Sequence, residues 1–298
     1  MKNSQQYLDP KVLARLEGLQ LRARLIVEGY VSGVHRSPYQ GFSIEFAEHR
    51  EYAPGDDLRY VDWKVFGRTD KVYLKQFEEE TNQICNVLLD TSESMRYRSE
   101  GAPMSKLEYA QCAAAALVYL ILQQQDSAGL VTFDREIRAV VRPSSNPSHL
   151  KELLHVIGES VPERKTDTGP IFHDLAERFR KRSLVVILSD LFDDVDSMMA
   201  GLNHFRHRRH DVILFHVLDP AELEFPFRDT TRFRGLEELP AVVAEPRALR
   251  QAYLAQFREY QRRLERGCRR HRIDYVLMRT DRPLELVLSS YLASRLRK

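Results

Sequence analysis

Apolar positions along this chain follow two rhythms. Ile84 to Leu89, Leu184 to Leu188 and Asp211 to Leu218 are near-continuous apolar runs of strand length, which is how strands covered on both faces read. Asp126 to Phe133 is a further strand. Between them lie helical spacings: Ser105 to Gln125, with Leu107, Ala110, Ala114, Leu117, Val118 and Ile121 on one face, then Asn146 to Ile157, Gly169 to Arg180 and Met198 to His207. Ile137 to Val141 is separated from the preceding strand only by Asp134-Arg135-Glu136, short enough for a hairpin, so one antiparallel edge strand is expected. The order strand, helix, strand, strand, helix, helix, strand, helix, strand predicts an α/β fold: a doubly wound, mostly parallel sheet of the Rossmann type. In such sheets ligands gather at the carboxyl ends of the strands.

Two flanks extend this core. On the N-terminal side Asp9-Pro10 opens a helix to about Ile26, and Gly29 to Gly41 reads as an irregular connection. Phe42, Ile44 and Phe46 alternate as in a half-buried strand. Pro54-Gly55-Asp56-Asp57 turns into a short helix, about Asp57 to Phe66, stopped by Gly67, and Val72 to Phe77 alternates again. Arg50, Glu51, Asp56, Arg59, Asp62, Lys64 and Arg68 suggest an ion-pair network near Trp63 or an acidic and basic binding face. On the C-terminal side, Glu222 to Glu245 has prolines and little periodicity. A long helix from about Arg247 to Arg270, a strand from Ile273 to Met278 and a helix from Pro283 to Leu296 follow. The expected organisation is an N-terminal charged segment, 1–80, and an α/β domain, 81–298, with a basic extension from about 220.

Charge sharpens that division. The whole chain carries +2, yet from Pro246 onward fourteen Lys and Arg face five Asp and Glu, so a basic end sits on an acidic body. Cys85, Cys112 and Cys268 are odd in number and far apart, so neither a disulfide framework nor a zinc cluster is signalled. Met1 to Gln20 is polar, without the apolar core of a signal peptide. The longest apolar run, Ala113 to Leu122, is too short to span a bilayer, so the expectation is a cytoplasmic protein without membrane insertion.

The candidate chemistry lies at strand ends. The run from Ile84 stops at Asp90, and Ser92 and Ser94 follow at alternate positions, so one carboxylate and two hydroxyls leave a buried edge together. Oxygen donors of this kind suit Mg²⁺ or Mn²⁺ better than zinc. The alternative is that Asp90 and Ser92 shape a turn or cap the next helix. Asp190 closes another core strand, and Thr166-Asp167-Thr168-Gly169 precedes the helix between them. These loops fall at one end of the predicted sheet, with Asp193 and Asp194 at its rim.

Asp90-Thr91-Ser92-Glu93-Ser94 resembles the Asp-x-Ser-x-Ser motif of the von Willebrand factor type A domain. That resemblance implies a metal-ion-dependent adhesion site formed by Asp90, Ser92 and Ser94 and completed by Thr166 and Asp190. In that family an acidic side chain of the partner fills the metal's free position, so the ion is a bridge in binding. Where the family usually places glycines before the threonine, this chain has Arg164-Lys165. Arg50-Glu51-Tyr52, Pro54-Gly55-Asp56-Asp57-x-Arg59, Val61-Asp62-Trp63-Lys64, Arg68-Thr69, Lys75-Gln76-Phe77 and Glu80 are similar to the fingerprint of the bacterial domain-of-unknown-function 58 family. The resemblance implies an adaptor that works with a MoxR-type AAA+ ATPase on a client protein offering an Asp or Glu.

Two other classes compete. A metal-dependent phosphohydrolase would use Asp90 with His173 as base, although no P-loop and no second carboxylate two residues after Asp90 are present. Nucleic-acid binding would use the basic stretches 204–210 and 258–272, which also read as solvated helix faces with cations favoured at helix C-termini.

Overall fold

A computed structural model of the chain describes residues 18–34, 49–51, 73–75, 83–162, 168–233, 242–284, 288, 289 and 291. The expected strand at 42–46, the turn and helix at 54–67 with its charged network, Thr166 and most of the last helix lie outside these residues. The chain divides into two compact units, 35–81 and the remainder. In the smaller unit β1 (His49–Glu51) pairs antiparallel with β2 (Tyr73–Lys75).

The larger unit is built on a six-stranded sheet. Its strands are β3 (Ile84–Asp90), β4 (Ser127–Phe133), β5 (Ile137–Ser144), β6 (Leu184–Ser189), β7 (Asp211–Leu218) and β10 (Asp274–Arg279), in the order β10-β7-β6-β3-β4-β5. Every neighbouring pair is parallel except β4 with β5, which gives the expected doubly wound sheet with one antiparallel edge. Connections from the central β3 and β6 lead the chain outward in opposite directions, so the end of the sheet where β3 and β6 stop is a topological switch point.

Each core strand divides its side chains between two apolar layers, which is why its sequence is apolar at successive positions. Cys85, Val87 and Leu89 of β3, Val186 and Leu188 of β6 and Phe215 and Val217 of β7 enter one layer, and Leu88, Val185, Ile187 and Leu214 the other. Over the first layer lie α1 (Leu19–Val34), α2 (Lys106–Gln123) and α3 (His149–Gly158), with Ala113 to Ala116 of α2 wholly buried. Over the second lie α4 (Thr168–Arg178), α5 (Val195–His207) and α7 (Pro246–Arg270). Full burial of each Leu, Ile, Val or Phe is worth about 1.5–3 kcal/mol, so the two layers hold the strand ends in fixed relation.

Two readings are corrected. The first helix does not give way to a connection at Gly29 but continues to Val34. Ala23, Ile26 and Val27 are buried in the first layer, and that packing outweighs the cost of about 1 kcal/mol for a helical glycine. The stretch after β7 has local structure of its own: α6 (Pro220–Glu224) carries a capping box from Asp219 and Glu222, and β8 (Thr231–Phe233) pairs antiparallel with β9 (Val242–Ala244). Phe225, Phe227 and Phe233 cluster there with Tyr253 of α7, packing that a search for periodicity does not detect. Asp194, exposed in the loop after β6, caps α5 by accepting from the Ser197 N–H at 2.8 Å, and the helix starts at Val195 instead of Met198.

Candidate metal centre

The β3 strand delivers Asp90 to the switch point, and the chain turns at once. Thr91 ties the turn to the neighbouring strand, its N–H and its hydroxyl both donating to the Phe133 carbonyl, at 2.7 and 3.0 Å. The Ser92 N–H donates to Asp90 Oδ1 at 2.9 Å, closing a small ring of the kind aspartate forms in turns. A single 3-10 turn, Glu93–Arg96, follows, and the fully buried Met95 anchors it in the core. Ser92 stands at its N-cap but its side chain makes no capping hydrogen bond. Instead the Ser92 and Ser94 hydroxyls share a hydrogen bond, their oxygens 3.0 Å apart. Turn shaping therefore belongs to the Asp90 carboxylate, and the two hydroxyls face each other beside it.

The β6 strand ends level with β3, and its last residue reaches across. The Ser189 hydroxyl donates to Asp90 Oδ2 at 2.5 Å and accepts from the Leu191 N–H at 2.9 Å. Leu191 has φ of 57°, a left-handed backbone that a branched residue adopts only when its surroundings enforce it. The Tyr260 hydroxyl of α7 donates to the Leu191 carbonyl and helps to enforce it. Asp190, between them, is the second carboxylate of the centre. Its backbone carbonyl meets His216 Nε2 at 2.9 Å, and burial pushes that imidazole down to about 4 despite the nearby carboxylate.

Asp90, Ser92 and Ser94 are 1%, 0% and 8% exposed, so their environment is dry. Burial, and next the like charge of Asp190, push the Asp90 carboxyl up to about 7, against the opposing hydrogen bonds from Ser189 and Ser92. A desolvated carboxylate with a second one in its field is a place where a cation is welcome. The two serine oxygens also have a suitable spacing. Octahedral ligands at about 2.0–2.1 Å from Mg²⁺ stand about 3 Å from their cis neighbours, and the two serine oxygens are separated by 3.0 Å. Among the described residues no group of three or more His, Cys, Asp or Glu gathers as a metal site, here or elsewhere, so the candidate centre depends on its hydroxyls.

Of the five residues named from sequence, Asp90, Ser92 and Ser94 share one turn, and Asp190 acts on Asp90 through its charge. Thr166 lies outside the described residues. Its neighbour Thr168 is buried at the start of α4, where its N–H and hydroxyl donate to Asp193 Oδ2 at 2.6 and 2.8 Å. Asp193, expected to be a solvated rim acid, thus ties the α4 loop to the β6 loop.

Sequence reasoning missed Ser189 and Lys106. Lys106, the first residue of α2, is 0% exposed and donates to Asp190 Oδ2 at 2.7 Å and Glu222 Oε1 at 2.6 Å. A cation in the first turn opposes the helix dipole, and that was the one signal available beforehand. His173, the candidate base of the enzyme reading, is paired with His204 through their Nδ1 atoms at 2.7 Å. Much of the basic stretch 204–210 is engaged internally: Arg206 with Asp211, Arg208 and His204 with Glu177.

The sequence profile of the family described as "Protein of unknown function DUF58" matches residues 48–263. Uncharacterized proteins of Mycobacterium tuberculosis and Mycobacterium bovis are 28% identical over 222 residues, 73% of this chain and 68% of theirs. Among solved structures, the conserved hypothetical protein BatB from Bacteroides thetaiotaomicron is similar with a TM-score of 0.51 and 14% identity, over 72% of this chain and 100% of that one. The VWA domain of SpRpn10 is similar with a TM-score of 0.40 and 13% identity, over 70% of this chain and 94% of that one.

Proposed function

The chain belongs to the DUF58 family and folds as a von Willebrand factor type A-like domain, and we propose that it is a metal-dependent interaction module. In this reading Asp90, Ser92 and Ser94 hold Mg²⁺ or Mn²⁺, Thr166 and Asp190 complete its surroundings directly or through water, and an Asp or Glu of the partner takes the remaining position. The ion would supply an electrostatic bridge between two carboxylates; the chain's own residues orient the oxygens and keep the site dry.

The observation that carries the reading is the pair of serine oxygens 3.0 Å apart beside a buried carboxylate pushed to about 7. A turn built for shape alone gains nothing from that charge. The partner proposed is a MoxR-type AAA+ ATPase or the client on which it acts, as the family resemblance implies. Binding is favoured over hydrolysis because the candidate base, His173, is engaged with His204 on the α4–α5 surface. Among the described residues no helix is long and apolar enough to cross a membrane.

Affinity capture with and without Mg²⁺, comparing the natural chain with Asp90→Ala, tests the reading. An acidic-surfaced ATPase or client retained only with Mg²⁺ and intact Asp90 is the expected outcome. Identical capture by Asp90→Ala, or in EDTA, would overturn it.

A further inference from the structure

Lys106 is not among the proposed ligands, and its placement is costly three times over. Its ammonium is fully buried, it occupies the first position of an 18-residue helix, where the dipole disfavours a cation, and its long side chain is immobilised. Buried ion pairs seldom repay such costs against a well-packed apolar replacement, so stability alone does not account for a lysine here.

Its surroundings say what it acts on. One donor reaches Asp190 Oδ2 and another Glu222 Oε1, at 2.7 and 2.6 Å, while the Phe192 ring lies 4.7 Å and the Tyr97 ring 5.9 Å from Nζ. Glu222 is itself held, since its other oxygen accepts from the Asp219 N–H at 2.8 Å in the capping box of α6. Asp219 in turn accepts from the Ser99 N–H at 2.9 Å, on the segment that follows the Ser92 and Ser94 turn. The ammonium is therefore clamped.

We propose that Lys106 is a resident counter-ion that sets the divalent-ion affinity of the Asp90 site: it occupies one oxygen of Asp190 and places a fixed positive charge behind that carboxylate. This rests on the metal-bridge reading. With Asp190 partly neutralised, Asp90 is left as the main source of negative charge in the ligand set. Metal alone is then held weakly, and the carboxylate of a partner supplies the missing charge. Lys106 is thus a specificity-determining residue that makes ion binding depend on the partner, without touching the ion.

Calorimetric titration of the full chain with Mn²⁺ alone tests this. In Lys106→Met/Glu222→Gln the triad keeps its net charge of −1, while Asp190 is released. Mn²⁺ should bind at least about tenfold more tightly, because the cation nearest Asp190 is gone at unchanged net charge and both oxygens of that carboxylate can face the ion. Glu222→Gln alone removes a negative charge and commits Lys106 to Asp190, so its affinity should fall at least about threefold by the same reasoning; this variant carries the test if the double variant fails to melt cooperatively. Unchanged or weaker Mn²⁺ binding by a folded double variant, or unchanged or tighter binding by Glu222→Gln, overturns the proposal. Asp90→Ala separates the two ideas. If it binds Mn²⁺ as the natural chain does, the metal-bridge reading fails; if it abolishes binding and the Lys106 variants do not shift as stated, only the counter-ion proposal fails. Absence of binding in every variant rejects both.

Discussion

Replacing Asp90 with Asn should make the metal-free protein more stable while abolishing its capacity for Mg²⁺. The carboxyl stands near 7 in the folded chain, raised first by burial and then by Asp190, against about 4 for an unfolded aspartate. The folded state therefore binds this proton more tightly than the unfolded state, and between about pH 4 and 7 stability falls as pH rises. At about 1.36 kcal/mol for each pH step between these two values, ionised Asp90 destabilises the fold by up to about 4 kcal/mol at pH 8. Asparagine keeps the acceptor for the Ser92 N–H but disturbs the Ser189 hydrogen bond, at about 1 kcal/mol, so a net gain of about 1–3 kcal/mol is expected. Urea unfolding followed by far-UV circular dichroism in EDTA, at pH 5 and pH 8, measures it. The variant should gain at pH 8 and gain little or nothing at pH 5. Loss of stability at pH 8, or a difference independent of pH, would refute the electrostatic account of the site. Stability given up where a ligand is to be bound is the usual signature of a functional site, and Mg²⁺ should restore it in the natural chain but not in the variant.

His216 should act in the opposite direction. Its folded value of about 4, set by burial, lies below the 6.5 of an unfolded histidine, so stability falls as pH drops from about 6.5 to 4, by up to about 3 kcal/mol. Subtracting the profile of His216→Gln from that of the natural chain should expose that slope, and parallel profiles would refute it. Gly201→Ala tests the close approach of α4 and α5. A Cβ there would meet the Gly169 carbonyl oxygen at 2.7 Å and the Phe172 Cβ at 2.8 Å, so a loss of about 1–3 kcal/mol and a lower melting temperature are expected; an unaltered melting temperature would show that the helices part without strain.

Much of this fold was legible in one dimension because burial on both faces leaves a local trace. Val185 and Val186 enter opposite layers, as do Leu88 and Leu89, so the strands read as unbroken apolar runs and their order implies the sheet. Asp90, Ser92 and Ser94 were equally legible, since a strand end and two alternate positions bring them together without help from the rest of the chain. The continuation of α1 past Gly29 and the β8–β9 pair were not, because packing against distant residues decides them.

What only the tertiary structure decided is the electrical state of the centre. Ser189 meets Asp90 from 99 residues away, Lys106 meets Asp190 from 84 and Glu222 from 116. No local pattern encodes such meetings. Sequence supplies the candidate residue types through spacing and periodicity, which are properties of a segment. Whether a carboxylate is charged, paired or waiting for a cation depends on solvent exclusion and on charges a few ångströms away, and these exist only once the sheet has closed.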